Sequence, residues 1–372
     1  MLNDQSGLYA DIAGTASVWI ARKAVEDFGA AAKGMKVEIL AGDHQNKPDI
    51  GLSIARQWFD VDKVDAIADV PTSSVALAVN ELIRDKNKVF LAVGPATSDL
   101  TGKACSPNTV HWIYDTWALA NGTGNAIVKR GGDTWFFLTA DYAFGYALER
   151  DTEAVVLKSG GKVLGKVRHP FPGTDFSSFL LQAKASEAKI IGLANAGGDT
   201  INSIKQASEF GIVQGGQKLA GLLIFITDIH ALGLKTAQGL IFTDPLVLGS
   251  ERHQPRIRQG VFRGARPHAE LYRGRGLLGR VPLSARRRGA RQPCGRQGGG
   301  GKDEGAADRG QAHGQRQRAH RRAQDPPDVP VRGEEARGEQ GVPGITTSSS
   351  QPFRRKKLRR PLDQGECPLV RK

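Results

Sequence analysis

Apolar positions recur along residues 1–245 in two alternating rhythms. Short runs rich in Val, Ile and Phe are followed by amphipathic stretches of about ten to twenty residues. The first rhythm fits strands buried on both faces, the second helices with one apolar stripe. Strands are predicted at Lys36–Ala41, Val64–Val70, Val89–Val93, Thr134–Thr139, Lys162–Arg168, Lys189–Asn195, Leu222–Ile226 and Gly239–Thr243. Helices are predicted over 10–28, 49–60, 73–86, 115–131, 144–159, 175–187 and 199–210. Such alternation builds a parallel α/β sheet covered by helices on both faces. Eight strands in this length suit two doubly wound lobes better than one sheet. In such sheets ligands bind beyond the carboxyl ends of the strands.

Five strand-end loops carry polar or small residues. They are Asp69–Ser74, Gly94–Asp99, Ala140–Gly145, Asn195–Asp199 and Thr227–His230. Hydroxyls and backbone N–H groups at a helix N-terminus suit a carboxylate. Asp141 or Asp228 could hold an ammonium group. Taken singly, Thr72, Ser73 or Asp199 is equally an N-cap; five clusters of one kind point to a shared cleft.

Charge changes this picture only at its end. The formal charge of +14 divides into −3 over residues 1–250 and +17 over 251–372. The first part uses 17 Lys and 6 Arg, the last 4 Lys and 25 Arg. From about Leu248 apolar periodicity gives way to Arg, Gly, Gln, Pro and Ala, a composition that predicts a largely disordered Arg/Gly-rich tail. Read literally, that tail would bind nucleic acid or anionic lipid through nonspecific charge. It has no aromatic interleaving for base stacking.

Catalytic motifs are missing from residues 1–245: no GxGxxG, no Walker lysine loop, no GxSxG. His44, His111, His169 and His230 have no metal spacing, and Cys105 has no evident His partner. No enzyme activity, cofactor or metal is expected. No apolar run reaches the length of a membrane span, and Met1–Gly7 does not read as a signal peptide.

Residues 2–245 resemble the substrate-binding proteins of ABC importers of the branched-chain amino acid type, the class I periplasmic binding proteins. The stretches that carry the resemblance are LNDQSGLYAD at 2–11, DHQNKPDIG at 43–51, SDLTGKACSPNTVHW at 98–112, TADYAFGYALERD at 139–151, DFSSFLLQA at 175–183, GLANAGGDTINSIKQASEFG at 192–211 and ITDIHALGLKTAQGL at 226–240. The resemblance implies two Rossmann-like lobes with a hinge, closing on a small solute as carriers and not enzymes. Lobe 1 is expected over 1–116 and lobe 2 over 117–245. It implies a monomer that binds an amino acid, amide or small organic acid in the periplasm and hands it to a membrane permease. A cytoplasmic ligand sensor on the same fold is the alternative. Thr72, Ser73 and Ser74 match the family's hydroxyl loop for a carboxylate, with Ala96 and Thr97 as its second half. Phe144 matches an aromatic wall with Tyr142 beside it, and Asp228 lies near the acid that pairs with an ammonium group. Tyr9, Asn195 and Ala196 complete the implied ligand set.

Two departures from the family follow. Only Met1-Leu2 stands where the family's first strand runs, so that strand is expected to be largely missing. The family's C-terminal segments are absent after residue 245, yet residues 359–372 again look like the family's end. Back-translated and shifted by one base, Leu246–Arg258 can read WYWDLNDTNRAF, and shifted segments at 324–335 and 344–351 also read like family sequence. Residues 246–358 are therefore expected to be out of frame. Setting aside Cys294 within them leaves two cysteines in a family exported to an oxidising compartment, which implies a Cys105–Cys367 disulfide.

Overall fold

The computed structural model describes residues 1–242, 360–361 and 364–370 of the 372-residue chain. The segment expected to be out of frame, with its boundaries at 246 and 358, lies outside the described residues. So does the Arg/Gly-rich tail.

The first sheet begins at β1 (Leu2–Asn3), which pairs in parallel with β2 (Gly42–Asp43). On its other side Leu2 bridges Asp69, just past β3 (Ala66–Ala68). β3 pairs with β4 (Val89–Ala92), and β4 with β5 (Thr109–His111), all parallel. The order is thus β2-β1-β3-β4-β5, with α1 (Gly14–Phe28), α2 (Pro48–Asp60) and α3 (Ser73–Asp85) as crossovers. The first strand, expected to be largely missing, is two residues long and sits mid-sheet with Leu2 wholly buried. Its shortness also explains why the strand expected at Lys36–Ala41 is absent: β1 offers partners only to Gly42 and Asp43. Leu2, Phe59, Ile67, Val75, Val79 and Phe90 are at the centre of this lobe's core.

α4 (Thr116–Lys129) leads into the second lobe, its start capped by the Asp115 carboxylate accepting the Ala118 N–H at 2.8 Å. There follow β6 (Thr134–Ala140), α5 (Ala143–Lys158), β7 (Lys162–His169), α6 (Ser177–Ala185), β8 (Ile190–Ala194), α7 (Gly198–Glu209), β9 (Lys218–Gly221), α8 (Ile226–Leu232) and β10 (Ile241–Phe242). The sheet runs β10-β9-β8-β6-β7, every pair parallel. β6 shows why the apolar runs read as strands. Trp135 and Phe137 pack on one face, Phe136 and Leu138 on the other. Each such burial stabilises by roughly 1.5–3 kcal/mol. β7 lies at the edge and alternates, exposing Lys162, Leu164, Lys166 and Arg168.

The strand expected at Leu222–Ile226 is corrected. The ladder uses Lys218–Gly221, and Ile226 already opens α8. Apart from one bond of the Leu222 N–H to the Leu193 carbonyl at 3.4 Å, Leu222–Phe225 lies outside the named strands and is buried between sheet and cleft. β5 was not predicted at all.

Two polar ties join the lobes near α4. Arg150 meets Asp99 at 3.0 Å, and the Asp151 carboxylate accepts the hydroxyls of Ser98 at 2.7 Å and Thr116 at 2.6 Å. The C-terminal stretch straps the same place. Arg360 donates to the Ser98 carbonyl at 2.8 Å, and Cys105 is disulfide-bonded to Cys367 with Cα atoms 5.7 Å apart. A Cβ on Gly102 would come within 2.8 Å of the Gly365 carbonyl oxygen, so the strap requires glycine there.

Candidate functional site

The carboxyl ends of both sheets face one cleft, and a pocket lies between them. Tyr9, Ile12, Pro71, Gly94 and Ala96 line it from lobe 1. Tyr142, Phe144, Ala196, Leu223 and Phe225 line it from lobe 2, with Tyr114 at the crossing. Among the described residues no Asp, Glu, Lys, Arg or His lines it.

Local sequence explains each position. Pro71 and Thr72 end the turn after β3 and open α3. Gly145 lets α5 begin directly under β6, since a Cβ there would lie 2.0 Å from the Ala140 carbonyl oxygen. That close start places Tyr142 and Phe144 at the pocket. Gly197 has φ +59°, and a Cβ on it would meet Ile12 at 3.0 Å and Tyr9 at 3.2 Å across the cleft. Only glycine combines that backbone with that approach.

The tyrosines join the lobes. The Tyr9 and Tyr142 phenols are hydrogen-bonded to each other. Phe171 stacks on Tyr142 with ring centroids 4.0 Å apart and lies 5.6 Å from Tyr9. Burial, opposed by the bond to Tyr142, holds the Tyr9 phenol pKa far above its ordinary value, so it stays a neutral hydroxyl. Behind it, Asp4 accepts the Tyr9 N–H at 2.7 Å and the Asn46 amide at 2.6 Å. Asn46 in turn accepts the Thr72 hydroxyl. This chain fixes the loop that carries Tyr9 onto the start of α3.

Of the residues implied by sequence, Tyr9, Ala96, Tyr142, Phe144 and Ala196 come together at the pocket. The others are not among its lining residues. Thr72 is tied to Asn46, the Ser73 hydroxyl accepts the Thr97 N–H at 3.3 Å, and Thr97 caps Asp99. Ser74 is half-buried one position into α3, off the lining. The Asp228 carboxylate accepts the Phe225 N–H at 2.8 Å as part of a capping box that starts α8. Asn195 is wholly buried, donating to His169 Nε2 at 3.1 Å and Ser203 at 3.2 Å and accepting from Thr200 at 2.7 Å.

Asn195 belongs to a buried polar cluster beneath α7. His169 Nδ1 lies 2.8 Å from the Pro170 carbonyl, which assigns the proton to Nδ1 and leaves Nε2 to accept from Asn195. Asp199 Oδ1 accepts the Gly173 N–H at 3.0 Å, while Oδ2 is buried with no hydrogen-bond partner, 3.9 Å from His169 Nδ1. Burial lowers the His169 pKa and raises that of Asp199 to about 7. Both shifts oppose charging, so below about pH 7 the two face each other as neutral groups and not as an ion pair.

Sequence reasoning missed Ile12, Pro71, Gly94, Tyr114, Leu223 and Phe225. Pro71 and Gly94 sat inside two of the strand-end loops already singled out. Leu223 and Phe225 carried a signal that was assigned to a strand. Tyr114 had only its place before the N-cap Asp115.

Comparison with known proteins gives one answer throughout. A family model described as periplasmic binding protein matches residues 1–259. The chain is similar to the Leu/Ile/Val-binding protein homolog 6 of Brucella melitensis biotype 1, 25% identical over 211 residues, 56% of this chain and 53% of that protein. It thus spans about half the length of the curated relatives it matches. A periplasmic binding protein from Burkholderia mallei is 47% identical with a TM-score of 0.74, covering 78% of this chain and 77% of that one. A branched-chain amino acid ABC transporter periplasmic ligand-binding protein from Burkholderia xenovorans LB400 is 40% identical with a TM-score of 0.55, covering 64% of each chain.

Proposed function

The chain belongs to the periplasmic binding protein family, and from that premise we propose that it is the solute-binding component of an ABC importer. It takes an amino acid, amide or small carboxylate between its lobes and delivers it, as a monomer in the periplasm, to a membrane permease. The observation that carries this reading is the pocket lined from both lobes at the carboxyl ends of their strands. A ligand touching both lobes favours their closed arrangement, which couples binding to a hinge motion a permease can read. The Cys105–Cys367 disulfide supports an oxidising compartment.

A thermal-shift screen of the full chain against amino acids, amides and small carboxylates tests the reading. One member at about a hundred times its Kd should stabilise the protein by about 2.7 kcal/mol. A melting temperature that no member of the panel moves would sink it.

A further inference from the structure

We propose that the pocket's ligand is a small monocarboxylate with an apolar body and no ammonium group, so that α-amino acids are rejected. This rests on the solute-binding reading above and narrows it. An ammonium group taken out of water needs a carboxylate or several acceptors around it. Among the described residues the pocket wall supplies no acid. Carboxylates close in sequence to its lining residues have partners elsewhere: Asp69 accepts the Asn3 amide at 3.0 Å and Asp115 the Ala118 N–H at 2.8 Å. Asp4 accepts the backbone of Gly7 and Tyr9, Asp228 accepts that of Phe225, and Asp141 accepts the Tyr146 phenol. Asp199 accepts the Gly173 N–H and faces His169.

The same wall suits an anion. α3, α5 and α7 begin beside Pro71, Tyr142 and Ala196, and none has a side-chain hydrogen bond on its N-cap. These three helices, with the positive ends of their dipoles, thus begin within two residues of the lining. Partial positive charge from three helices attracts a carboxylate and repels a cation. The Tyr9–Tyr142 phenol pair adds neutral hydroxyls, and the faces of Phe144 and Phe225 fit an apolar body. Arg and Lys are absent from the lining among the described residues, so a dicarboxylate would leave its second charge unmatched.

Isothermal titration of the full chain with two matched series tests this. One series is 4-methylpentanoate, L-leucine and 4-methylpentanamide. The other is 3-phenylpropanoate, L-phenylalanine and 3-phenylpropanamide. Within a series the body is constant and only the charged groups change. In at least one series the acid should bind about a hundredfold or more tighter than the amino acid, since the latter buries an unpaired cation. It should also bind tighter than the amide. An amino acid that binds as well as its acid overturns the inference and leaves the solute-binding reading standing. An amide that equals its acid overturns the claim for an anion. Binding by none of the six overturns the inference, and it counts against the solute-binding reading only if the wider screen is also silent.

Discussion

Asp199→Asn should remove a defined part of the protein's pH dependence. Asp199 is 1% exposed, and its carboxyl titrates at about 7 in the fold against 3.8 when free. The cause is burial, opposed only by the Gly173 N–H. A carboxyl whose folded pKa is raised binds its proton more tightly in the native state. Its contribution is fully present below about pH 4 and is lost as pH rises to about 7, after which the loss is level. At 1.36 kcal/mol per pH unit the whole loss is about 4 kcal/mol, and the part between pH 5 and 8 is about 3 kcal/mol. The asparagine keeps an acceptor for Gly173 but does not titrate. Its packing changes stability by some fixed amount, which cancels when the variant is compared with the wild type at two pH values. Burial lowers the pKa of His169 and of His44, the latter to about 4, and these act in the opposite direction in both proteins. Guanidinium unfolding at pH 5 and pH 8 measures the difference. The variant should gain on the wild type by about 3 kcal/mol across that interval. Parallel stability curves would show that Asp199 is already ionised at pH 5 and that the neutral pairing with His169 is wrong.

Replacing Cys105 and Cys367 by serine opens a loop with a sequence separation of 262, so urea unfolding should show a loss of up to about 5 kcal/mol. Phe144→Ala removes an aromatic wall from the pocket and should weaken binding of the best ligand by about 1–3 kcal/mol by titration calorimetry. Asp151→Ala leaves the hydroxyls of Ser98 and Thr116 without their acceptor and should cost about 1–3 kcal/mol in chemical denaturation.

The doubly wound fold was legible because β6 and β8 are apolar on consecutive positions and are flanked by amphipathic helices. β5 was not, since Thr109-Val110-His111 contains one aliphatic residue and lies at its sheet's edge. The run Leu222–Phe225 was misassigned because burial against a cleft and burial in a ladder leave the same apolar pattern. At the site, the aromatic residues expected at a strand end, Tyr142 and Phe144, lie on the pocket lining. The hydroxyls of Thr72, Ser73 and Thr97, expected at a ligand's carboxylate, are off the lining and hydrogen-bond to neighbouring loops. A hydroxyl's type does not say which way it turns. That depends on partners such as Asn46, which no local pattern marks. Asp228 is the same case, a carboxylate three residues after Phe225 that serves its own helix.

The alternation along β7 bears on how copies of the protein behave toward one another. An open parallel sheet ends in unsatisfied N–H and C=O groups, a ready template for strand addition. Here the exposed face of that edge strand carries Lys162, Lys166 and Arg168 beside Leu164, with Lys166 held 3.0 Å from Glu153. Two such margins brought together would crowd Lys162, Lys166 and Arg168 against their counterparts, a repulsion that Glu149 and Glu153 partly offset. The edge is thus a built-in guard against fibril-like stacking at high concentration, and one that strengthens as ionic strength falls.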